Sequence, residues 1–373
     1  MSGVREPFLE VLQDSSTAVS LTVSEWTDVI GRARHSSLLP KLSLQIDDDT
    51  LGRLAPRVRE QLLAARPIAE QHARAVRWEV GRIQVALRGL DSKVVVLKGA
   101  AYILGGLPAG VGRLTTDVDI LVPRDDLRRV EQALLAAGWA AVKLHPYDQR
   151  FYRQWSHELP PLRHSRRRTV VDVHHNILPV SGRLHPDPNK LLTSAVPLVA
   201  ADVPSGLWML GPEDMVLHCA VHLFQDGDLA GSVRDLVDAD ALLRHFTGLK
   251  PGDSESGATP GFWDRLPARA RELGLERPLF YVLRFAARML GTPVPASVWA
   301  QVARPSGLVV ALMDRLVSRS LLPLYGRHAT VGEETARTLL YVRSHWLRMP
   351  PGQLALHLMK KSMRRWSESD EDT

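Results

Sequence analysis

The sequence predicts an α+β protein in which a small mixed β-sheet is flanked by N-terminal and C-terminal helical regions. Before residue 90, apolar residues recur at steps of three and four, which is typical of a helix that packs through one face. Short β-branched runs then alternate with helical segments as far as about residue 180. Helical periodicity returns from Gly211 onward.

The clearest helical pattern lies in the segment PIAEQHARAVRWEVGRIQVALRGL. Pro67 is expected in the first turn of this helix, where a proline sacrifices no hydrogen bond. A single apolar stripe follows, formed by Val76, Val80, Ile83, Leu87 and Leu90. We therefore expect one long helix that is buried along this stripe.

The predicted sheet begins at SKVVVLKG, a β-branched run that leads into a short helix at AAYILGG. A second strand is predicted within GRLTTDVDILVP. The segment RDDLRRVEQALLAAGW should follow as a helix, with Asp125 or Asp126 near its N-terminal cap and Gly138 beyond its end. Further strands are predicted around Ala140–Leu144, His157–Leu159 and Thr169–His174.

These patterns divide the chain of 373 residues, which is long enough for two or three packed units, into four predicted regions. An N-terminal helical region over 1–90 precedes a core with the sheet over 91–205. A C-terminal helical domain is predicted over 206–366, followed by a disordered acidic tail over 367–373. The C-terminal domain is predicted from GPEDMVLHCAVHLFQ, SVRDLVDADALLRHF and later amphipathic segments.

Composition and charge favour a soluble protein with an anionic partner. The formal net charge of +6 suits a nucleotide, a nucleic acid or phosphate. Cys219 is the single cysteine, which excludes an intramolecular disulfide and a cysteine-rich metal site. No apolar run reaches membrane-spanning length, and the first residues lack a signal-peptide pattern. We therefore expect a cytoplasmic location and no membrane partner.

Two carboxylates interrupt the strand-like run GRLTTDVDILVP. Asp117 and Asp119 are two residues apart, so on a strand both side chains lie on one face. Two like charges side by side are costly unless a cation neutralises them. Asp172, in TVVDVHHNI, is a third acid between β-branched residues. If the two strands are neighbours, three carboxylates converge, and such a cluster suits Mg²⁺ or Mn²⁺ shared with substrate phosphates.

A phosphate-binding turn is predicted upstream of these acids. VLKGAAY places Lys98 and Gly99 where a strand turns into a helix. Glycine lets a phosphate approach the backbone closely, and the lysine adds a positive charge. Arg113, four residues before Asp117, is a candidate to neutralise another phosphate oxygen. A lone Asp-x-Asp run is more often a loop edge, and it is the order of these motifs that adds specificity.

This order resembles the nucleotidyltransferase superfamily with the DNA polymerase β-like core. More narrowly, it is similar to an uncharacterised nucleotidyltransferase family. That family carries a Lys-Gly turn, an arginine shortly before Asp-x-Asp-hydrophobic-Leu-Val, and a downstream Val-Asp-x-His. The matching segments are LKGAAY, GRLTTDVDILV and VVDVHHNI. The resemblance covers residues 94 to about 180 and extends more loosely to EDMVLHCAVHL and VRDLVDADALL.

The resemblance implies a Mg²⁺-dependent transfer of a nucleoside monophosphate from a nucleoside triphosphate to an acceptor hydroxyl, with release of pyrophosphate. Asp117 and Asp119 would be the metal-binding pair. Asp172 would be the third carboxylate, which holds the catalytic metal or helps to deprotonate the acceptor. The acceptor itself stays open between a small molecule, a protein hydroxyl and an RNA end.

By the same resemblance, Gly99 would fall in the nucleotide-binding turn, with Lys98 and Arg113 beside the phosphates. The superfamily usually has a serine after the glycine of this turn, whereas Ala100 stands there in this chain. The gap from Gly99 to Asp117 is also longer than in the superfamily. Both departures match the narrower family.

Four histidines near these motifs have open roles. His174 would share a strand face with Asp172, so it is a candidate to orient that carboxylate or to contact phosphate, with a structural histidine as the alternative. His157 is a candidate if its segment pairs beside Asp172. His218 and His222 have metal-ligand spacing on a helix but lack the His-Glu-x-x-His pattern. Packing, or an edge of the substrate cleft, is therefore favoured over zinc for this pair.

Two further hypotheses compete with an active transferase. The first is a catalytically degenerate nucleotide-binding or regulatory module on the same fold, which the missing serine favours and the three acids disfavour. The second is a nucleic-acid-binding protein that uses the basic run RHSRRR, Arg163–Arg168. Such a run is also typical of a solvated hairpin turn.

Overall fold

Seven short strands form one mixed sheet in the order β3-β4-β5-β2-β1-β7-β6. The computed structural model describes residues 6–142, 146–199, 205–226, 229–248, 259–350 and 352. The sheet and its surrounding helices confirm the predicted α+β class. The strands are β1 (Val94–Val96), β2 (Asp117–Leu121), β3 (Trp139–Ala141), β4 (Leu162–His164), β5 (Val170–His174), β6 (Val196–Pro197) and β7 (Leu207–Met209).

Helices precede, interrupt and follow these strands. Before the sheet lie α1 (Pro7–Gln13), α2 (Val23–His35), α3 (Leu39–Gln45), α4 (Asp48–Arg53) and α5 (Pro56–Leu87). Between strands lie α6 (Lys98–Leu104), α7 (Leu127–Ala136), α8 (Pro146–Trp155) and α9 (Pro188–Ser194). After β7 follow α10 (Pro212–Val221), α11 (Val233–Thr247), α12 (Phe262–Glu272), α13 (Glu276–Leu290), α14 (Ala296–Gln301), α15 (Gly307–Ser320) and α16 (Val331–Arg348).

The centre of the sheet is the parallel pair β2 and β5. Asp117 is opposite Val170 in this pair, and Asp119 is opposite Asp172. Alternate residues of the two strands point to the other face and are buried in the apolar core, namely Val118, Ile120, Val171 and Val173. Because side chains alternate along a strand, burial of this apolar set fixes the acids on the opposite face.

Helix α5 corrects the predicted helix start. It begins at Pro56, and Pro67 lies inside it instead of in its first turn. An internal proline removes a backbone hydrogen bond, which is why the sequence favoured a start there. Packing of α5 against α3, α6 and α7 outweighs that preference. The predicted stripe is buried as far as Leu87, and Leu90 is half-buried.

Some other predicted boundaries also differ. The strand predicted at His157–Leu159 is a single isolated bridge between Glu158 and His174. Asp126 is the N-cap residue of α7, as predicted, although its side chain makes no capping hydrogen bond, and Asp125 lies in the 3₁₀ turn before it. Residues 143–145, the loop segment 249–258 and the acidic tail 367–373 lie outside the described residues.

The basic run Arg163–Arg168 forms the end of β4 and the turn to β5, as the hairpin interpretation predicted. Arg166 and Arg168 are exposed, whereas Arg167 lies against α5. The Arg167 Nη2 and Nε atoms each donate to one carboxylate oxygen of Glu79 at 2.9 Å. Glu79 is buried and also accepts a hydrogen bond from Thr169.

One cluster of buried apolar side chains runs from Phe8 in α1 to Leu340 in α16. It includes the apolar face of the sheet and residues from both helical regions. The proposed division into four regions therefore remains a prediction. Within the described part of the chain, no helix combines the length and the apolar character needed to cross a membrane.

The substitution Glu79→Gln should lower the free energy of unfolding by about 3 kcal/mol, because it leaves the Arg167 guanidinium without its buried carboxylate. Urea unfolding followed by circular dichroism measures this loss. Glu70→Gln, at an exposed position of the same helix, is the matched control and should change stability by less than about 0.5 kcal/mol. Equal effects of the two substitutions would contradict the structural role of Glu79.

Candidate active site

The structure brings the three predicted carboxylates together on one face of the sheet. Asp117 and Asp119 lie on β2, and the register places Asp172 of β5 directly beside Asp119. Neighbouring strands lie about 4.8 Å apart, so these side chains are adjacent. Asp119 is 6% exposed, and Asp117 and Asp172 are half-buried. The face is therefore rich in negative charge and poorly hydrated.

Asp119 is the carboxylate with protein cations beside it. The Lys98 Nζ donates to its Oδ1 at 2.9 Å, and the His174 Nε2 lies 2.8 Å from the same oxygen. Burial alone would raise the pKa of Asp119, but Lys98 and His174 hold it well below its usual range. Asp119 is thus ionised at neutral pH.

The pKa values of Asp172 and Asp117 are raised, in contrast to that of Asp119. Burial, reinforced by the neighbouring carboxylates Asp119 and Asp117, raises the pKa of Asp172 to about 7. Burial and Asp119 likewise raise the pKa of Asp117. The Oδ1 of Asp172 is buried and has no hydrogen-bond partner among the described residues. Three carboxylates around a single lysine leave excess negative charge, and this orphaned oxygen fits a divalent cation.

Lys98 and Gly99 form the turn from β1 into α6, as predicted. Lys98 has a φ of 48°, in the left-handed region that side chains other than glycine rarely adopt. This conformation accompanies the ion pair between Lys98 and Asp119. Gly99 is buried, and a Cβ atom there would lie 2.4 Å from the Thr115 Cγ2. Glycine is therefore required because the loop before β2 approaches closely.

Arg113 borders the same pocket, but its guanidinium is engaged by the protein. Its Nε donates to the Asp238 Oδ2 at 2.6 Å, and its Nη1 donates to the Leu114 carbonyl. Its Nη2 lies 3.7 Å from the Asp235 Oδ1. Arg113 is 7% exposed. The geometry therefore favours a role in positioning the loop before β2, and phosphate binding by Arg113 stays a prediction.

His174 lies on the carboxylate face, as expected from its spacing, and it connects two acids. Its Nδ1 is 3.4 Å from the Glu158 Oε2, while its Nε2 contacts Asp119. The rings of His157 and His174 are 5.2 Å apart. His157, Glu158 and His174 offer ligand atoms that all lie within 4.8 Å of one another. A metal ion could be held by this group as well, next to the three aspartates.

A cavity of about 110 Å³ lies in front of Asp117 and Asp119, and Asp172 is not among its lining residues. Residues of α10, α11 and the π-helical segment His222–Asp226 complete the wall of this pocket. His218 and His222 both line it, in agreement with an edge of the substrate cleft. The His222 Nδ1 lies 3.2 Å from the Asp235 Oδ2. Burial lowers the pKa of His218 well below its usual value, so this imidazole is neutral.

Sequence reasoning missed Arg234 and Thr115 as lining residues. Arg234 lies in the first turn of α11 and lines the pocket, and Thr115 lines it from the loop before β2. Arg234 is remote in sequence from the Lys-Gly and Asp-x-Asp motifs, whereas Thr115 lies two residues before Asp117. An arginine in the first turn of an amphipathic helix carries no recognisable signal, so the tertiary fold alone reveals it.

A comparison with protein families now places this geometry in context. The model of a family described as uncharacterised nucleotidyltransferases matches residues 22–291, which is more than half of the chain. The chain belongs to this family. The family assignment confirms the resemblance drawn from the Lys-Gly, Asp-x-Asp and Val-Asp-x-His segments.

A solved structure, an antigenic nucleotidyltransferase-like protein from Paracoccidioides brasiliensis, is also similar to this chain. The two share 16% sequence identity with a TM-score of 0.33. The match covers 60% of this chain and 94% of the other. No curated protein matches the sequence.

Asp172→Asn should stabilise this nucleotidyltransferase-family protein in the absence of metal. The folded protein raises the pKa of Asp172 from 3.8 to about 7, so between these pH values it binds more protons than the unfolded chain does. The free energy of unfolding therefore falls as the pH rises from about 4 to about 7 and Asp172 loses its proton in the folded protein. We expect the variant to have the higher Tm at pH 8 in EDTA, with a smaller difference at pH 5.

Thermal unfolding by circular dichroism at the two pH values measures this effect. Asp125→Asn, at an exposed position after β2, is the matched control and should leave Tm unchanged at both. Equal Tm values for Asp172→Asn and the wild type at pH 8 would contradict the electrostatic description of the site.

Arg113→Met should lower the free energy of unfolding by about 3–5 kcal/mol, because it leaves Asp238 buried without its cation. Chemical unfolding measures the loss, and Arg82→Met on the exposed face of α5 is the control. Adding Asp238→Asn to the variant should recover part of the loss, since it removes the unpaired charge. A loss below about 1 kcal/mol would contradict the structural role assigned to Arg113.

Proposed function

We propose that this protein is a Mg²⁺-dependent nucleotidyltransferase, with Mn²⁺ as an alternative cation. It would move a nucleoside monophosphate from a nucleoside triphosphate to an acceptor hydroxyl and release pyrophosphate. The observation that carries this proposal is the convergence of Asp117, Asp119 and Asp172 on one sheet face, where Asp117 and Asp119 line a pocket. Family membership supports the same class of reaction.

Asp117, Asp119 and Asp172 would hold the cation. Their donor set is made of carboxylate oxygens, which are the ligands that Mg²⁺ prefers, and the buried Oδ1 of Asp172 lacks any other partner among the described residues. When bound, the cation supplies charge neutralisation of the phosphates and polarisation of the attacking oxygen. His157 and His174 lie at the margin of this set.

The nucleotide would enter the pocket with its phosphates toward the turn at Lys98 and Gly99. Lys98 and Gly99 both line the pocket, and the Thr115 side chain fills the space where a Cβ atom of Gly99 would lie, so Lys98 is the part of this turn that would meet a phosphate. Lys98 supplies a positive charge that it currently shares with Asp119. Positioning and charge neutralisation are the main contributions that such a site makes to phosphoryl transfer.

Asp172 is the candidate proton acceptor for the attacking hydroxyl. The acceptor oxygen would form a bond to the α-phosphorus, while the bond from that phosphorus to the bridging oxygen of the leaving pyrophosphate breaks. The hydroxyl proton would pass to the Asp172 carboxylate.

The acceptor is proposed only by class, as a hydroxyl on a small molecule, a protein or an RNA end. A catalytically degenerate, nucleotide-binding module remains the second candidate. One observation favours it: Ala100 replaces the usual serine, while Lys98 is already paired with Asp119. Binding of a nucleotide without any transfer would be its signature.

Calorimetric titration of each nucleoside triphosphate with Mg²⁺ tests the proposal. We expect the wild type to bind at least one triphosphate in a Mg²⁺-dependent manner. The double substitution Asp117→Asn/Asp119→Asn should abolish this binding, because it removes the carboxylates that hold the cation. Asp117→Asn removes a charge that repels Asp119, whereas Asp119→Asn leaves Lys98 without its ion-pair partner, so circular dichroism must show that the double variant is folded.

The control is Asp125→Asn, which should bind as the wild type does, because Asp125 is exposed and outside the pocket. Release of pyrophosphate in the presence of candidate acceptors distinguishes a transferase from a binding module. Undiminished Mg²⁺-dependent binding by the double variant would contradict the proposed site.

A further inference from the structure

The positively charged side chains predicted to bind phosphate already form ion pairs or hydrogen bonds within the protein. Lys98 is paired with Asp119, and the Arg113 donors are directed to Asp238, Asp235 and a backbone carbonyl. A triphosphate carries several negative charges, and charge-assisted hydrogen bonds from protein cations are the usual means of binding it. The two cations that the sequence assigned to this task, Lys98 and Arg113, therefore already have partners within the protein.

Arg234 is the cation of the pocket wall with uncommitted donors. It lies in the first turn of α11, its side chain is 30% exposed, and it lines the pocket with the carboxylates. Its nearest carboxylate is the Asp235 Oδ1, 3.7 Å from its Nε, which is too long for a hydrogen bond. The described residues accept no hydrogen bond from its guanidinium.

His222 stands beside Arg234 on the same wall. It opens the π-helical segment that follows α10, and its side chain is 30% exposed. Its Nδ1 contacts Asp235, which leaves the Nε2 side of the ring available to the pocket. Asp235 therefore positions both side chains: it contacts His222 directly and lies next to Arg234. Short π-helical segments within helices frequently occur at functional sites.

We propose that Arg234 and His222 bind the two terminal phosphates of the nucleoside triphosphate, the group that leaves as pyrophosphate. This inference rests on the proposed function and gives it a residue-level phosphate site in the pocket that Asp117 and Asp119 also line. Asp117 and Asp119 would hold the cation beside the phosphates, and Arg234 and His222 would donate hydrogen bonds to the same phosphates. Arg113 acts behind this wall as a positioning residue, because it holds α11 through Asp238.

The test compares ligands that differ in their phosphates. Inorganic pyrophosphate and each nucleoside triphosphate, with Mg²⁺, are titrated into the wild type, Arg234→Ala and His222→Gln; the nucleoside monophosphates serve as reference ligands. Arg234→Ala should weaken binding of pyrophosphate and of the preferred triphosphate roughly tenfold to hundredfold, as expected for one lost charge-assisted hydrogen bond. Binding of the monophosphate should change less than about twofold. His222→Gln should show the same selectivity with a smaller loss.

Arg82→Ala is the matched control for charge, because Arg82 is exposed on α5 and outside the pocket. It should leave all of these affinities unchanged. Arg234→Lys should restore part of the loss, since it returns the charge without the planar donors. Thermal unfolding of each variant shows whether the fold is retained.

The outcomes separate the two levels of the proposal. Wild-type protein that binds pyrophosphate and a triphosphate, together with an Arg234→Ala variant that binds them equally well, would overturn this inference alone. Equal weakening of monophosphate and triphosphate binding would also overturn it, since the residue would then act on the fold or on the nucleoside. Failure of the wild type to bind any of these ligands would overturn the inference and the proposed function together.

Discussion

The parallel pairing of β2 with β5 is the constraint on which the site depends. Its register places Asp119 beside Asp172, and the two-residue periodicity of each strand adds Asp117 and His174 to the same face. The apolar residues between them are buried in the core, so a shift of one residue would expose those side chains and bury the acids. The hydrophobic core therefore fixes the position of charges that repel one another.

The helical regions stabilise the loop that leads into β2. Lys41 in α3 is buried and donates to three carbonyl oxygens of residues 108–111. Gly112 has a φ of 66° and approaches the Lys41 backbone so closely that a Cβ there would lie 2.5 Å away. Arg113 then joins this loop to Asp238 of α11. These contacts fix the start of β2 relative to α11, which lines the same pocket.

Local patterns in the sequence predicted the fold class, the strands β1, β2 and β5, and the face shared by the three acids. Those features depend on periodicity over a few residues, and the pattern carries that information directly. The partner of Arg113 could not be predicted, because Asp238 is distant along the chain and charge alone does not select it. Likewise, Pro67 indicated a helix start, and only the packing of α5 on α3 shows why the helix continues through it. The position of Arg234 in the pocket lining likewise depends on helix packing and could not be predicted from the sequence.

The central claim is that the three aspartates hold a divalent cation that the substrate phosphates share. Anomalous diffraction from crystals grown with Mn²⁺ and a non-hydrolysable analogue of the triphosphate that binds tests it most directly. The account predicts a manganese peak within about 2.2 Å of oxygens of Asp117, Asp119 and Asp172, with the analogue's phosphates beside it. A peak only at His157, Glu158 and His174, or an ordered analogue without any peak at the aspartates, would contradict it.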